Sequence, residues 1–151
     1  MDYLPPIRAA ISEAINRQDR DMLDSAIERL LAAGRELTPG KPDTRLDLFH
    51  QLLVMPGHHC HQQVAFQLQT IADPATLPYI RQVFEQGFDY LDYTCSDSDA
   101  IAKWFSHLLW DIGTPEALAL IKEYARHPDE GIRNEMQYRL KRIMQQRLKI
   151  E

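Results

Sequence analysis

The residues of this chain best suited to hold a metal or to move a proton are its histidines and cysteines, and they are unevenly spread. Four of the six histidines and one of the two cysteines fall in a single stretch, His50-Gln-Leu-Leu-Val-Met-Pro-Gly-His58-His59-Cys60-His61. Zinc takes four N or S ligands, or three with one open position. On a helix starting at His58, His61 lies beside His58 at i, i+3 and the two could chelate. Cys60 instead falls with Val64, Leu68 and Ile71 on the apolar stripe. The ligands therefore point in different directions. The pattern favours capping and surface histidines, and a metal-binding protein using His58 and His61 is the lesser alternative. No cofactor is expected.

A second stretch carries charge and rings together. GFDYLDYTCSDSD holds Asp89, Asp92, Asp97 and Asp99 with no Lys or Arg, interleaved with Phe88, Tyr90, Leu91 and Tyr93. This is not linker composition. Tyrosine is amphipathic and enriched in interfaces, and a long connection inside a compact helical domain is functional or self-packed. These residues, together with Trp110, are the candidate partner-binding set. Trp110 falls opposite the apolar stripe of its helix, beside Lys103 and His107, so its indole needs a partner: the Phe88–Tyr93 segment, a neighbouring helix or another protein. Packing under the Phe88–Tyr93 segment is the expected arrangement. The last helix is rich in cations: Arg133, Arg139, Lys141, Arg142, Arg147 and Lys149. With the acidic stretch it makes the molecule electrically polar.

Other chemistry finds no template. There is no GxSxG, no Gly-rich phosphate loop and no HExxH helix, and no carboxylate pair sits on an apolar face where its pKa would shift toward catalytic use. The chain is expected not to be an enzyme. A net charge of -5 and a pI of about 5.7 argue against a nucleic-acid partner. Two cysteines and no N-terminal apolar segment suggest a reducing cytoplasm. No apolar run approaches the roughly 18 residues of a membrane span.

The elements that position these residues read as helices throughout. Pro5-Pro6 leads into a helix with Ile7, Ile11 and Ile15 on one face. Asp19 or Asp21 caps a second, with Leu23, Ile27 and Leu30, ending at Gly34. ELTPGKPD is a loop. Asp43 caps a third helix bearing Leu46, Phe49, Leu52 and Leu53, stopped by Pro56-Gly57. A fourth spans His58–Ile71 and a fifth runs from Pro74 to about Gln86. In the sixth, Ile101, Phe105, Leu108, Leu109 and Ile112 form one stripe. Gly113 stops it, and Thr114-Pro115-Glu116 gives the seventh an N-cap, a first-position proline and an acidic first turn. The eighth runs from Glu130 to about Leu148. Nothing alternates with period two, so no sheet is expected.

The chain also matches itself. A shift of 41 lays Ile71-Ala72-Asp73-Pro74-Ala75-Thr76-Leu77 on Ile112-Gly113-Thr114-Pro115-Glu116-Ala117-Leu118, and Val64, Leu68 and Ile80 on Phe105, Leu109 and Ile121. A shift of 31 lays Ile101, Phe105, Leu109 and Ile112 on Ile132, Met136, Leu140 and Ile143. Between them, DIGTPEALALIKEYARHPDEGIRNEMQYRL resembles the HEAT-like repeat, in which an Asp and an Arg, here Asp129 and Arg133, bracket the start of each first helix. Arg133 is read as structural, paired with Asp129 or a neighbouring helix end. The bracket is missing at His58–His61, and Lys103 replaces Arg in the copy beginning at Asp97.

The resemblance implies an all-α, right-handed α-α superhelix of HEAT-like hairpins, about eight helices in one domain over 1–151. Residues 1–57 would be less regular cap helices and 58–143 the clear repeats. It further implies a protein-binding module, as in small bacterial HEAT-like accessory or immunity proteins that neutralise a cognate toxin. An adaptor or assembly factor of a larger complex is the alternative. The acidic aromatic stretch would then meet a basic surface of the partner.

Overall fold

The computed structural model describes residues 3–33 and 43–150, and among these the protein is all-α. Eight helices follow one another: α1 (Leu4–Asn16), α2 (Arg20–Ala32), α3 (Leu46–Val54), α4 (His61–Ile71), α5 (Leu77–Gln86), α6 (Ser98–Ile112), α7 (Pro115–Tyr124) and α8 (Glu130–Ile150). Two 3-10 turns, Pro74–Thr76 and Asp89–Thr94, sit before α5 and α6. The expected end of the second helix at Gly34 and most of the ELTPGKPD loop lie outside the described residues. No described helix is long and apolar enough to cross a membrane.

The chain divides into two compact units, Met1–Ile71 and Ala72–Glu151. Burial explains why α4 belongs with the first three helices: Val64, Ala65 and Leu68 are buried, and α4 packs on α3 and α2.

In the first unit α1 and α2 pair, burying Leu4, Ile7, Ile11 and Ala14 with Leu23, Ala26, Ile27 and Leu30. Asp19 caps α2 by accepting from Met22 N–H at 3.0 Å. Asp43 does not cap α3 as expected. The helix starts three residues later, and the Asp43 carboxylate instead grips Arg45 through Nε at 3.0 Å and Nη2 at 2.9 Å. Both side chains are almost wholly buried, so pairing is what makes burying the guanidinium tolerable. Arg45 also donates to the Ala33 carbonyl at 3.2 Å and lies over the Phe49 ring, tying the end of α2 to the start of α3.

In the second unit α6 is the central helix, packed on α7 and α8, with α5 against α7. Its predicted stripe is the core: Ile101, Phe105, Leu108, Leu109 and Ile112 are buried. Phe84 of α5 stacks on Tyr124 of α7 at 4.1 Å and meets Phe105 edge-on at 5.5 Å. The starts of α6 and α8 touch. Asp129 accepts from Ile132 N–H at 2.9 Å as the cap of α8 and from the Ser98 hydroxyl at 2.7 Å. A Cβ on Gly131 would collide with Ser98 Oγ and come within 2.8 Å of the Asp99 backbone, so only glycine permits this approach. Arg133 does not pair with Asp129. It donates to the carbonyls of His127 and Pro128, both at 3.1 Å, at the corner after α7.

The 41-residue shift has a backbone counterpart. Ala72 and Gly113, aligned by it, both take positive φ, 54° and 68°, one residue past the ends of α4 and α6. Asp73 and Thr114, aligned next, each cap the helical turn after them, accepting from Ala75 N–H at 2.8 Å and Ala117 N–H at 3.2 Å. The left-handed conformation costs a side-chain-bearing residue about 1–2 kcal/mol and glycine almost nothing. Ala72→Gly is therefore expected to stabilise the protein by about 0.5–1 kcal/mol, and Gly113→Ala to destabilise it by about 1 kcal/mol. Urea unfolding midpoints check both signs. A loss of stability in Ala72→Gly would contradict the equivalence of the two corners.

Candidate functional site

Three groups of side chains could do chemistry or bind, and the fold treats each differently. The histidine cluster lies at the C-terminal end of α3, whose last carbonyls have no helical partner. His58 precedes α4 instead of opening it, and both His58 and His61 are buried, at 1 % exposure, against the expectation of surface histidines. His58 Nε2 lies 2.7 Å from the Leu52 carbonyl and His61 Nε2 lies 2.7 Å from the Met55 carbonyl. A carbonyl only accepts, so each Nε2 carries the hydrogen. The rings stack at 3.8 Å.

The Nδ1 atom of His58 accepts from Cys60 N–H at 3.0 Å, which occupies both of its nitrogens. Asp24, His58 and Cys60 bring potential ligand atoms close together. His58 has no lone pair left for an ion, and burial pushes the Cys60 thiol up to about 11, so it stays protonated at neutral pH. Asp24 is itself engaged, accepting from His59 N–H at 2.8 Å. The capping half of the sequence expectation describes these side chains; the chelating half does not.

The acidic stretch forms a 3-10 turn folded back on its own unit. Leu91 is fully buried, Phe88 meets Phe84 edge-on at 5.2 Å, and Tyr90 is half-buried in a side-chain hydrogen bond with Gln86, burial holding its phenol above the ordinary range. Asp89, Asp92, Asp97, Asp99 and Tyr93 face solvent. Of the candidate set, Phe88 and Tyr90 are therefore largely internal and the rest are presentable. Beside the turn lies a cleft of about 280 Å³ lined by Phe84, Phe88, Asp89, Asp92, His127 and Asp129, among others. Hydrogen bonds from Ile132 N–H and Ser98 hold the Asp129 carboxyl below its usual range, so the cleft keeps its negative charge.

Trp110 does not join this surface. It is twelve residues beyond Ser98 along α6, roughly 18 Å at 1.5 Å per residue. Its partner is Arg139 of α8, whose guanidinium lies 5.0 Å from the ring centroid. The expected packing under the acidic segment is thus replaced by a cation–π contact with a neighbouring helix. Arg139 is buried, contacts His107 Nε2 at 3.2 Å and stands 3.8 Å from Glu135, which accepts from the Ser106 hydroxyl at 2.9 Å. His107 must accept here, and burial together with Arg139 keeps its pKa low. The serine donates to a carboxylate and not to the histidine, so this Ser, His and Glu do not make a nucleophile with its base. In the sequence Arg139 stands only as one of the cations of the last helix and Ser106 does not stand out, because nothing in either residue's spacing says that this face of α8 meets α6.

No family model, no curated protein and no solved structure matches this chain.

The histidine pair sets a pH dependence. Burial is the main cause that lowers both pKa values, His61 to about 3, where the stacked His58 ring adds to it. The unfolded histidines titrate near 6.5, so below that pH the unfolded chain binds protons the folded one refuses. Stability is full above about pH 6.5 and falls as pH drops toward 4.5, by up to about 1.4 kcal/mol per pH unit from His61, with His58 acting in the same direction. His61→Gln keeps a donor for Met55 and removes one titration. Its denaturation midpoint should vary less steeply over pH 6.5–4.5 than that of the wild type, and equal slopes would show that His61 is not held neutral.

Proposed function

We propose that this chain is a protein-binding module whose acidic end docks on a basic surface of another protein. The observation that carries this reading is the set of outward carboxylates Asp89, Asp92, Asp97 and Asp99, with Tyr93 among them and no cation between Gly87 and Ala102, beside a charged cleft walled by Phe84 and Phe88. Such a surface steers a cationic partner and fixes its register. The cleft has the lining to take a lysine or arginine stem between rings and carboxylates. In this reading the helix pairs are HEAT-like hairpins of a right-handed superhelix, and the module is an immunity protein of a bacterial cytoplasm that neutralises a cognate toxin of basic surface.

Trp110, placed at the other end of α6, drops out of this interface. Asp89→Asn with Asp92→Asn should slow association with a captured basic partner by about tenfold and flatten its salt dependence, because exposed charges act mainly on the encounter rate. Tyr93→Ala should speed dissociation. Trp110→Ala should leave both rates unchanged. Surface plasmon resonance between 50 and 500 mM salt reads all three. Rates insensitive to salt and to the aspartates would remove the acidic end from the function.

A further inference from the structure

The opposite end of the second unit has its own surface. α8 has 21 residues against 15 in α6. The two helices start side by side at Gly131 and Ser98, so the last turns of α8 run past the end of α6. From Lys141 onward every described side chain is exposed except the half-buried Ile143, and Met144 and Leu148 stand 64 % and 72 % exposed.

Between this overhang and the α6–α7 corner lies a groove of about 320 Å³. Trp110, Leu118, Ile121 and Ile143 give it apolar walls, and Gln146 and Arg147 form its rim. Met144 and Leu148, one step around the helix from Ile143 and Arg147, extend the apolar wall into a band. The charge on its α8 side has one sign. Arg139, Lys141, Arg142, Arg147 and Lys149 occur between Met136 and Ile150, where there is no Asp or Glu. The start of α7, Thr114-Pro115, also faces the groove, with the exposed Asp111 and Glu116 beside it on that side.

We infer that this groove and the adjoining band dock an acidic amphipathic helix of another protein, its apolar side chains seated against Trp110, Leu118 and Ile143 and its carboxylates on Arg147 and Lys149. Charge complementarity with the α8 rim, where Arg147 lines the groove and no carboxylate occurs from Met136 to Ile150, selects this occupant. A second copy of the same overhang brings the same cations and is repelled. An anionic bilayer is flat; it meets Met144 and Leu148 but leaves Trp110 and the groove uncovered. The site stands apart from the acidic end and does not depend on the reading given to it.

The test uses the full chain carrying Trp104→Phe, which leaves Trp110 as its sole tryptophan. Three probes are titrated: a 16-residue amphipathic peptide of Leu and Glu, its Leu and Lys counterpart, and phosphatidylserine vesicles. The acidic peptide should shift Trp110 emission saturably. Arg147→Glu and Lys149→Glu, both on exposed turns that bear no core contact, should together weaken that binding at least about tenfold. Leu118→Ala should weaken it while circular dichroism stays unchanged, and Asp89→Asn should leave it untouched. No response to the acidic peptide, an equal response to the basic one, a response to vesicles alone, or an emission shift that tracks self-association in sedimentation would each overturn the assignment.

Discussion

The second unit depends on one close approach, the start of α8 laid against the start of α6 at Gly131 and Ser98. Asp129 locks it, capping α8 and accepting from Ser98 with the same oxygen. Everything further along depends on that register. Ile132 and Met136 enter the core beside the α6 stripe. A turn later Glu135 and Arg139 come opposite Ser106 and His107, so a buried guanidinium finds an acceptor and a ring instead of water. Further still, α6 ends and α8 continues, which creates the groove. A side chain at position 131 would force the helices apart and shift all three levels at once.

The first unit solves a different problem with different chemistry. α3 ends at Val54, just before Pro56-Gly57, with carbonyls at that end inside the fold, where leaving them unpaired costs about 1–3 kcal/mol each. Two stacked neutral imidazoles donate to two of them. That arrangement satisfies the helix end at the cost of acid sensitivity, because a proton on either ring would be buried beside the other. Asp43 and Arg45 close the far end of α3 with a buried ion pair.

How much of this was legible in the residues depended on whether the signal was local. Helix positions were, because stripes such as Ile101, Phe105, Leu108, Leu109 and Ile112, and caps such as Thr114 and Asp19, are set by neighbours in sequence. The aligned corners at Ala72 and Gly113 were visible for the same reason. Asp43 misled because its carboxylate had a stronger partner two residues on than the helix end. The burial of His58 and His61 was not visible, since nothing in their spacing says that the end of α3 is covered. The separation of Trp110 from the acidic turn came from helix rise alone. Its pairing with Arg139 required knowing which face of α8 meets α6. The function-bearing surfaces were legible as composition, acid with rings at one end and cations at the other, but not as shapes.

The central claim is that the acidic end of the second unit is a site for cationic protein surface and not merely a solvated turn. The direct test is a 15N–1H correlation spectrum recorded while an Arg- and Lys-rich peptide is added at physiological salt. The account predicts saturable shifts confined to Phe88–Asp99 and to the neighbours of His127 and Asp129, with the amides of residues 139–149 unmoved. Small unsaturable shifts spread over acidic residues throughout the chain would contradict it.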